Sequence, residues 1–217
     1  MATGGTHNKI IAREAAAVLA PLGVTRKGRS RLWLDDQFWY VILIEFQPSS
    51  WSRGTYLNVG VNWLWHPQEH WSFDIGYRKL AHAEFRTEEQ FTKAVSSMVA
   101  YAGRSVTELR CRLSSLRSAY VHVAETYEAA LGYGCWPELH LGVLGALAGD
   151  RQLAVSLLRT IIAKPARFDW QAERALYVEE VLAILDNAGD IKDFVEKRIG
   201  ICRRMRGLPT RGLSLPA

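Results

Sequence analysis

FWYVILIEFQPSSWSRGTYLNVGVNWLW, residues 38–65, decides the fold. Read by parity, Phe38, Tyr40, Ile42, Ile44 and Phe46 form one apolar side, and Leu57, Val59, Val61, Trp63 and Trp65 form another. Period two in β-branched and aromatic residues is the pattern of a strand with a buried side. Between the two runs, Pro48 to Gly54 is rich in Pro, Ser and Gly and suits a turn, so the runs are expected as antiparallel neighbours. Working outward, Ser30 to Asp35 supplies a strand before them, closed by the short turn Asp35-Asp36-Gln37. Trp71 to Arg78 supplies one after them, with Trp71, Phe73, Ile75 and Tyr77 on its apolar side. The economical arrangement is a four-stranded antiparallel meander.

Helical spacing brackets this stretch. Before it, Ile11, Ala15, Val18, Leu19 and Leu22 recur on one helical face after Thr6, with Pro21 and Gly23 closing the helix. After Phe85 the composition changes to Ala, Leu, Arg and Glu at helical spacing. Thr87-Glu88-Glu89-Gln90 and Ser105-Val106-Thr107-Glu108 read as two capping boxes, each opening a helix. Further helices are expected over 137–148, 150–163, 170–186 and 191–206. The fold class is therefore α+β: an N-terminal helix on a four-stranded antiparallel sheet, followed by a helical C-terminal half. By composition the chain divides into residues 1–86, residues 87–206 and a tail, 207–217, whose Gly, Pro and charge predict disorder.

Composition narrows the class further. With 217 residues, 48% of them hydrophobic and 23% charged, the chain can bury a core without staples. No apolar run approaches the ~20 residues of a membrane span, and the N-terminus lacks the apolar stretch of a signal peptide. Cys111, Cys135 and Cys202 are odd in number and far apart, which reads as reduced thiols in a cytoplasmic protein. The net charge of +5 sits at one end. Through Glu196 there are 21 basic and 22 acidic residues; Lys197, Arg198, Arg203, Arg204, Arg206 and Arg211 follow with no acid among them. Such a cluster can bind nucleic acid through phosphates, or simply place cations at the negative end of a last helix.

The first hundred residues resemble a bacterial family known as domain of unknown function 4304. The resemblance is carried by LGVTRKGR (Leu22 to Arg29) after the opening helix, by an aromatic strand ending in FQPSSW (Phe46 to Trp51), and by TYLNVGV (Thr55 to Val61) on the next strand. It implies a small, soluble bacterial protein of this α+β plan, and carries over no catalytic residues.

Candidate sites follow from what the patterns leave over. Opposite the apolar side, the sheet is expected to present Trp33, Trp39, Val41 and Leu43 together with Glu45, Asn58, Asn62, Asp74 and Arg78. A carboxylate and two amides beside Trp33, Trp39 and Tyr56 can orient a ligand or partner by hydrogen bonds and stacking. Alternatively the helical half covers this face and the polar groups bond helix ends. Arg26, Lys27 and Arg29, around Gly28, form a cluster able to grip an anion, or a solvated turn. HPQEH (His66 to His70) fits the H-x-x-E-H zinc pattern, but that chemistry needs a helix. Here the motif lies between strands as a five-residue hairpin loop with Pro67, so no metal is expected. Cys135 precedes a helix that could activate its thiol, with His122 and His140 as partners by residue type only; a buried, inert thiol is the alternative. No phosphate loop, dinucleotide fingerprint or nucleophile elbow occurs, so no cofactor is expected. A non-catalytic binding or interaction domain of regulatory or antidote type, with a protein partner and no membrane association, ranks first. A nucleic-acid-associated protein using the basic C-terminus ranks second, and an enzyme using the sheet face or Cys135 third.

Overall fold

The computed structural model describes residues 5–127, 135–187, 189–210 and 214–216, with the side chain of Tyr77 outside that set. Its elements are α1 (Thr6–Leu19), β1 (Thr25–Arg26), β2 (Leu32–Asp36), β3 (Tyr40–Pro48), β4 (Gly54–Trp63) and β5 (Ile75–Glu84), followed by six further helices. These are α2 (Glu88–Arg112), α3 (Leu116–Glu125), α4 (Trp136–Leu147), α5 (Arg151–Ile162), α6 (Asp169–Asp186) and α7 (Ile191–Met205). The fold is α+β as the sequence predicts. The sheet runs β1-β2-β3-β4-β5 in chain order. Its extra strand, β1, is two residues paired to Trp33 and Leu34, too short to carry a periodic pattern. The chain divides into two compact units: Met1–Asn62 with Trp71–Arg110, and Trp63–His70 with Cys111–Ala217. The division therefore differs from the compositional one at residue 86, because α2 belongs largely with the sheet.

In the first unit, Val41, Ile42, Leu43 and Ile44 are all fully buried, so β3 is covered on both sides. Antiparallel register places Asp35 opposite Ile42 and Trp33 opposite Ile44. On that side Arg110 of α2 donates through Nε to Asp35 Oδ2 (2.9 Å) and through Nη2 to Asp35 Oδ1 (2.6 Å), and also to the Leu22 carbonyl (2.7 Å). Helix α1 runs along α2: Glu14 accepts from Ser96, and the missing Cβ of Gly103 leaves room for Val18 and Leu22.

Helix α2 is a single 25-residue helix, so the second expected capping box is not a helix start. Phe91, Val95, Met98, Val99, Ala102 and Val106 form one unbroken buried stripe through it. Ending that stripe at Ser105 would forfeit several kcal/mol of burial, against the ~1 kcal/mol that a cap supplies. Thr107 instead bonds back to the Gly103 carbonyl. The first box holds: Thr87 accepts from Gln90 N–H, and the Gln90 side chain reaches back to Arg86 N–H. The break comes at Ser115, which exchanges capping hydrogen bonds with Ser118.

The last strand also differs from expectation. β4 stops at Trp63 and β5 begins at Ile75, so the connection is longer than a five-residue hairpin loop. Trp71 and Phe73 fall outside the strand, and Phe73 lies against Gly60 on the side opposite the one expected. Pairing resumes where two glycines face each other. A Cβ on Gly60 would stand 2.2 Å from the Ile75 carbonyl, and one on Gly76, at φ +76°, 2.6 Å from the Val59 carbonyl.

The second unit is built around α4, which packs against α3, α5, α6 and α7 and is buried from Glu138 to Ala146. A helix buried on every side has no polar face to solvate, which explains a sequence that is apolar but for Glu138 and His140. Gly142 admits the Leu158 side chain where a Cβ would stand 2.9 Å away. The segment 63–70 inserts here: Trp63 and Trp65 stack at 4.5 Å, and Trp65 Nε1 donates to His140 Nδ1 at 3.2 Å. HPQEH is not helical; His66 packs edge-on to Trp136 and Tyr177, and Arg206 of the α7 end donates to the carbonyls of Gln68 and His70. Beyond α7, Leu215 is buried and its N–H donates to Glu196, while residues 211–213 of the expected tail lie outside the described set. No described helix is long and apolar enough to cross a membrane.

Two outcomes test this core. Arg110→Ala leaves the buried Asp35 carboxylate unpaired and should cost about 3 kcal/mol in denaturant titration, with most of it recovered in Arg110→Met/Asp35→Leu. His140 is fully enclosed, and burial lowers its pKa from 6.5 to about 3. Its folded value lies below the unfolded one, so its contribution is complete above pH 6.5 and is lost as pH falls towards 3. Stability should decline by up to about 1.4 kcal/mol per pH unit below pH 6 from this group, and His140→Gln should flatten that slope.

Candidate functional site

Three strands bring a polar set to one side of the sheet in the first unit. Glu45 and Gln47 lie two apart on β3, Tyr56 and Asn58 two apart on β4, and Arg78 pairs with Asn58 from β5. The pattern i, i+2 keeps each pair on one side. Register shifts between Thr55 and Asn58 bulge the β4–β5 ladder and bring His82 to Tyr56, ring centroids 4.7 Å apart. Bulges re-aim side chains in this way.

Hydrogen bonds orient Glu45, Gln47, Asn58 and Arg78. Arg78 Nη2 donates to Gln47 Oε1 (2.7 Å), so Gln47 presents its oxygen inward. Asn58 Nδ2 donates to that oxygen (3.0 Å) and to Glu45 Oε2 (2.8 Å). Because both neighbours are acceptors, the Asn58 amide must direct nitrogen at them and its oxygen elsewhere. Asn58 is only 1% exposed, and its Oδ1 has no hydrogen-bond partner. Leaving such an acceptor unmatched costs about 1–3 kcal/mol, which makes it unusual in a folded chain. The Arg78 guanidinium lies 3.9 Å over the Tyr56 ring, fixing both. Glu45, Gln47, Tyr56 and His82 are half-buried and Arg78 is exposed, so the set borders solvent.

Of the residues singled out by sequence, Glu45, Tyr56, Asn58 and Arg78 come together. Asn62 does not join them. It is buried and donates to Ser72 Oγ and Asp74 Oδ2, bracketing the segment before β5. Trp39 is buried against the edge of Tyr40, six residues before Glu45, or roughly 20 Å along a strand. Trp33 faces away, since its partner is Ile44 while that of Glu45 is Leu32. Parity counted from Trp39 carried Trp33 to the wrong side because the turn between the two strands resets the register. Gln47 was readable from Glu45 by the same parity rule; His82 was not, because the bulge that places it has no local signature.

One more residue belongs to this end of the sheet. Trp51, in the turn joining β3 to β4, is 92% exposed.

The other candidates resolve separately. Arg26 donates to the carbonyls of Ser30 and Arg29 in its own turn, Lys27 lies 5.4 Å from the Trp71 ring, and Arg29 is exposed. Along the basic C-terminus, Lys197 pairs with Asp193, Arg198 with Glu180, and Arg203 donates to the Pro209 carbonyl. Arg211 is outside the described residues. Cys135, in the second unit, is buried at the start of α4, and its sulfur accepts from Lys164 Nζ at 3.1 Å. That bond raises the pKa of the Lys164 ammonium. Among the described residues, no group of three or more His, Cys, Asp or Glu is placed to hold a metal ion.

Comparison with protein-family models, with curated proteins and with solved structures returned no match. The family resemblance therefore rests on its quoted segments, two of which form the end of β3, its turn and β4.

Asn58→Asp tests the network. It would set a second carboxylate where Glu45 now accepts a hydrogen bond, destabilising the fold by about 2 kcal/mol at pH 7. Repulsion raises the folded-state pKa of the pair, so the loss should shrink as pH falls through the carboxylate range. Thermal melts of both proteins at pH 7 and pH 4.5 read the difference.

Proposed function

We propose that this chain is a non-catalytic recognition domain that takes a protein partner at the β3–β4 end of its sheet. The observation that carries the reading is Trp51, almost wholly exposed in the turn that joins the two strands bearing Glu45, Gln47 and Asn58. Tryptophan is enriched among the residues that dominate protein interfaces, because one side chain removes a large apolar area from water. An apolar anchor beside fixed polar groups is the composition of an interface patch.

Non-catalytic character is supported by how the polar groups are used. Glu45, Gln47, Asn58 and Arg78 hydrogen-bond to one another and include no nucleophile paired with a base. The basic C-terminus supports a nucleic-acid role less well, since Lys197, Arg198, Arg203 and Arg206 bind acceptors of the protein itself. Membership of the domain of unknown function 4304 family and a cytoplasmic location belong to the same proposal. Two of the three resembling segments form the hairpin that presents Trp51, and the three free thiols suit a reducing compartment.

A photo-crosslinking amino acid in place of Trp51, used in whole cells, tests the reading. A discrete protein adduct is expected, including one of twice the chain mass if the partner is a second copy. Glu45→Ala/Tyr56→Ala should reduce it about tenfold, the loss of roughly 1.4 kcal/mol of binding. A nuclease-sensitive adduct would overturn the proposal. So would labelling no more specific than that from the same amino acid at exposed Arg13 of α1.

A further inference from the structure

We propose that a cavity in the second unit, beside Cys135, binds the oxyanion group of a small organic molecule through Lys164, Arg167 and Arg174. The cavity measures about 400 Å³, within the range of small-molecule sites. Among the described residues its walls are these three cations, the Cys135 thiol, the Gln171 amide and a few small or aliphatic side chains, with no carboxylate. Three cations around one concavity repel each other, and an anion in their midst relieves that repulsion.

The positions of the cations are built rather than incidental. Lys164 and Arg167 belong to the connection between α5 and α6, whose course is held by Gln171: its Oε1 accepts from the N–H groups of Arg167 (2.7 Å) and Phe168 (3.2 Å). One turn further along α6, Arg174 is 4% exposed, and its guanidinium lies 5.2 Å from the rings of both Trp136 and Trp170. Burial lowers the Arg174 pKa, the sign of a cation held where water solvates it poorly. Glu138 in the first turn of α4, outside the lining, acts on both Arg174 and Lys164 and offsets part of their charge, leaving a net positive concavity. Guanidinium groups match oxyanions through paired N–H donors.

An organic rather than a bare inorganic anion is indicated by the surroundings. Phe168 and Trp170, next to Arg167 and Gln171 in sequence, are 54% and 39% exposed, and their rings are parallel within 7°. Neither ring lines the cavity itself, but they lie in the chain between Arg167 and Gln171 of its wall, where they would meet the body of a ligand that extends past that edge.

Cys135 makes the test direct, because its thiol is part of the wall while Cys111 of the same chain is exposed. The folded protein is treated with iodoacetate, which is anionic, or iodoacetamide, which is neutral, and each cysteine peptide is quantified by mass spectrometry. The iodoacetate-to-iodoacetamide rate ratio should be roughly fivefold higher at Cys135 than at Cys111, the effect of about 1 kcal/mol of local potential. It should fall to the Cys111 value in Lys164→Ala/Arg167→Ala, whose substituted side chains are exposed. A general change in thiol reactivity affects both reagents and leaves the ratio unmoved. Inorganic phosphate or succinate at millimolar concentration should protect Cys135 and not Cys111, and whichever protects identifies the headgroup. Equal ratios at the two cysteines, protection by neither anion, or a Cys135 inert to both reagents would each overturn the proposal.

Discussion

The two-pronged ion pair from Arg110 to Asp35 sets the geometry of the sheet-bearing unit. Asp35 is a carboxylate almost wholly buried beside Ile42, and such a group is tolerated only with a partner. Its partner sits 22 residues into α2, about 33 Å from the first turn at the usual rise. The helix must therefore run unbroken past Ser105, where local sequence offers a start. The same guanidinium takes the carbonyl of Leu22, so the exit of α1, strand β2 and the far end of α2 meet on one side chain.

In the helical unit a neutral pair stands at the corresponding place in the core. There His140 of α4, neutral by burial, accepts from an indole within a stretch of helix that is buried from Glu138 to Ala146. Each unit thus sets one polar interaction into apolar packing, where it selects an arrangement that packing alone would leave degenerate. The two candidate sites also have opposite chemistry. The sheet site is rich in acceptors, with a carboxylate and an amide oxygen beside an exposed indole. The cavity is rich in donors, with three cations and, among the described residues, no acid in its wall.

What the sequence disclosed follows from where the information is local. The strands β2 to β4, the opening helix and the helical half are visible because burial imposes a period on consecutive residues. The set Glu45, Tyr56, Asn58 and Arg78 was visible too, as polar residues breaking that period in step on neighbouring strands. Trp33 was misassigned because parity does not survive a turn, and Trp71 and Phe73 because an aromatic run looks the same in a strand and in a packed loop. Lys164, Arg167 and Arg174 left no trace. They come from a helix connection and a helix interior, and only the path of the chain, held by Gln171, brings them to Cys135.

The helical unit draws Trp63–His70 from between two stretches of the sheet unit, so the two interleave along the chain. During synthesis the partner of Trp65 arrives 75 residues after it, which is roughly 4–15 s at the usual ~5–20 residues per second. For that interval Trp63, Leu64 and Trp65 have been made and their unit has not. The sheet unit can close as soon as Arg110 leaves the ribosome, while an octapeptide headed by Trp63, Leu64 and Trp65 waits. The nascent chain thus carries its most aggregation-prone segment at mid-length, and the speed at which α4 follows sets how long it needs shelter.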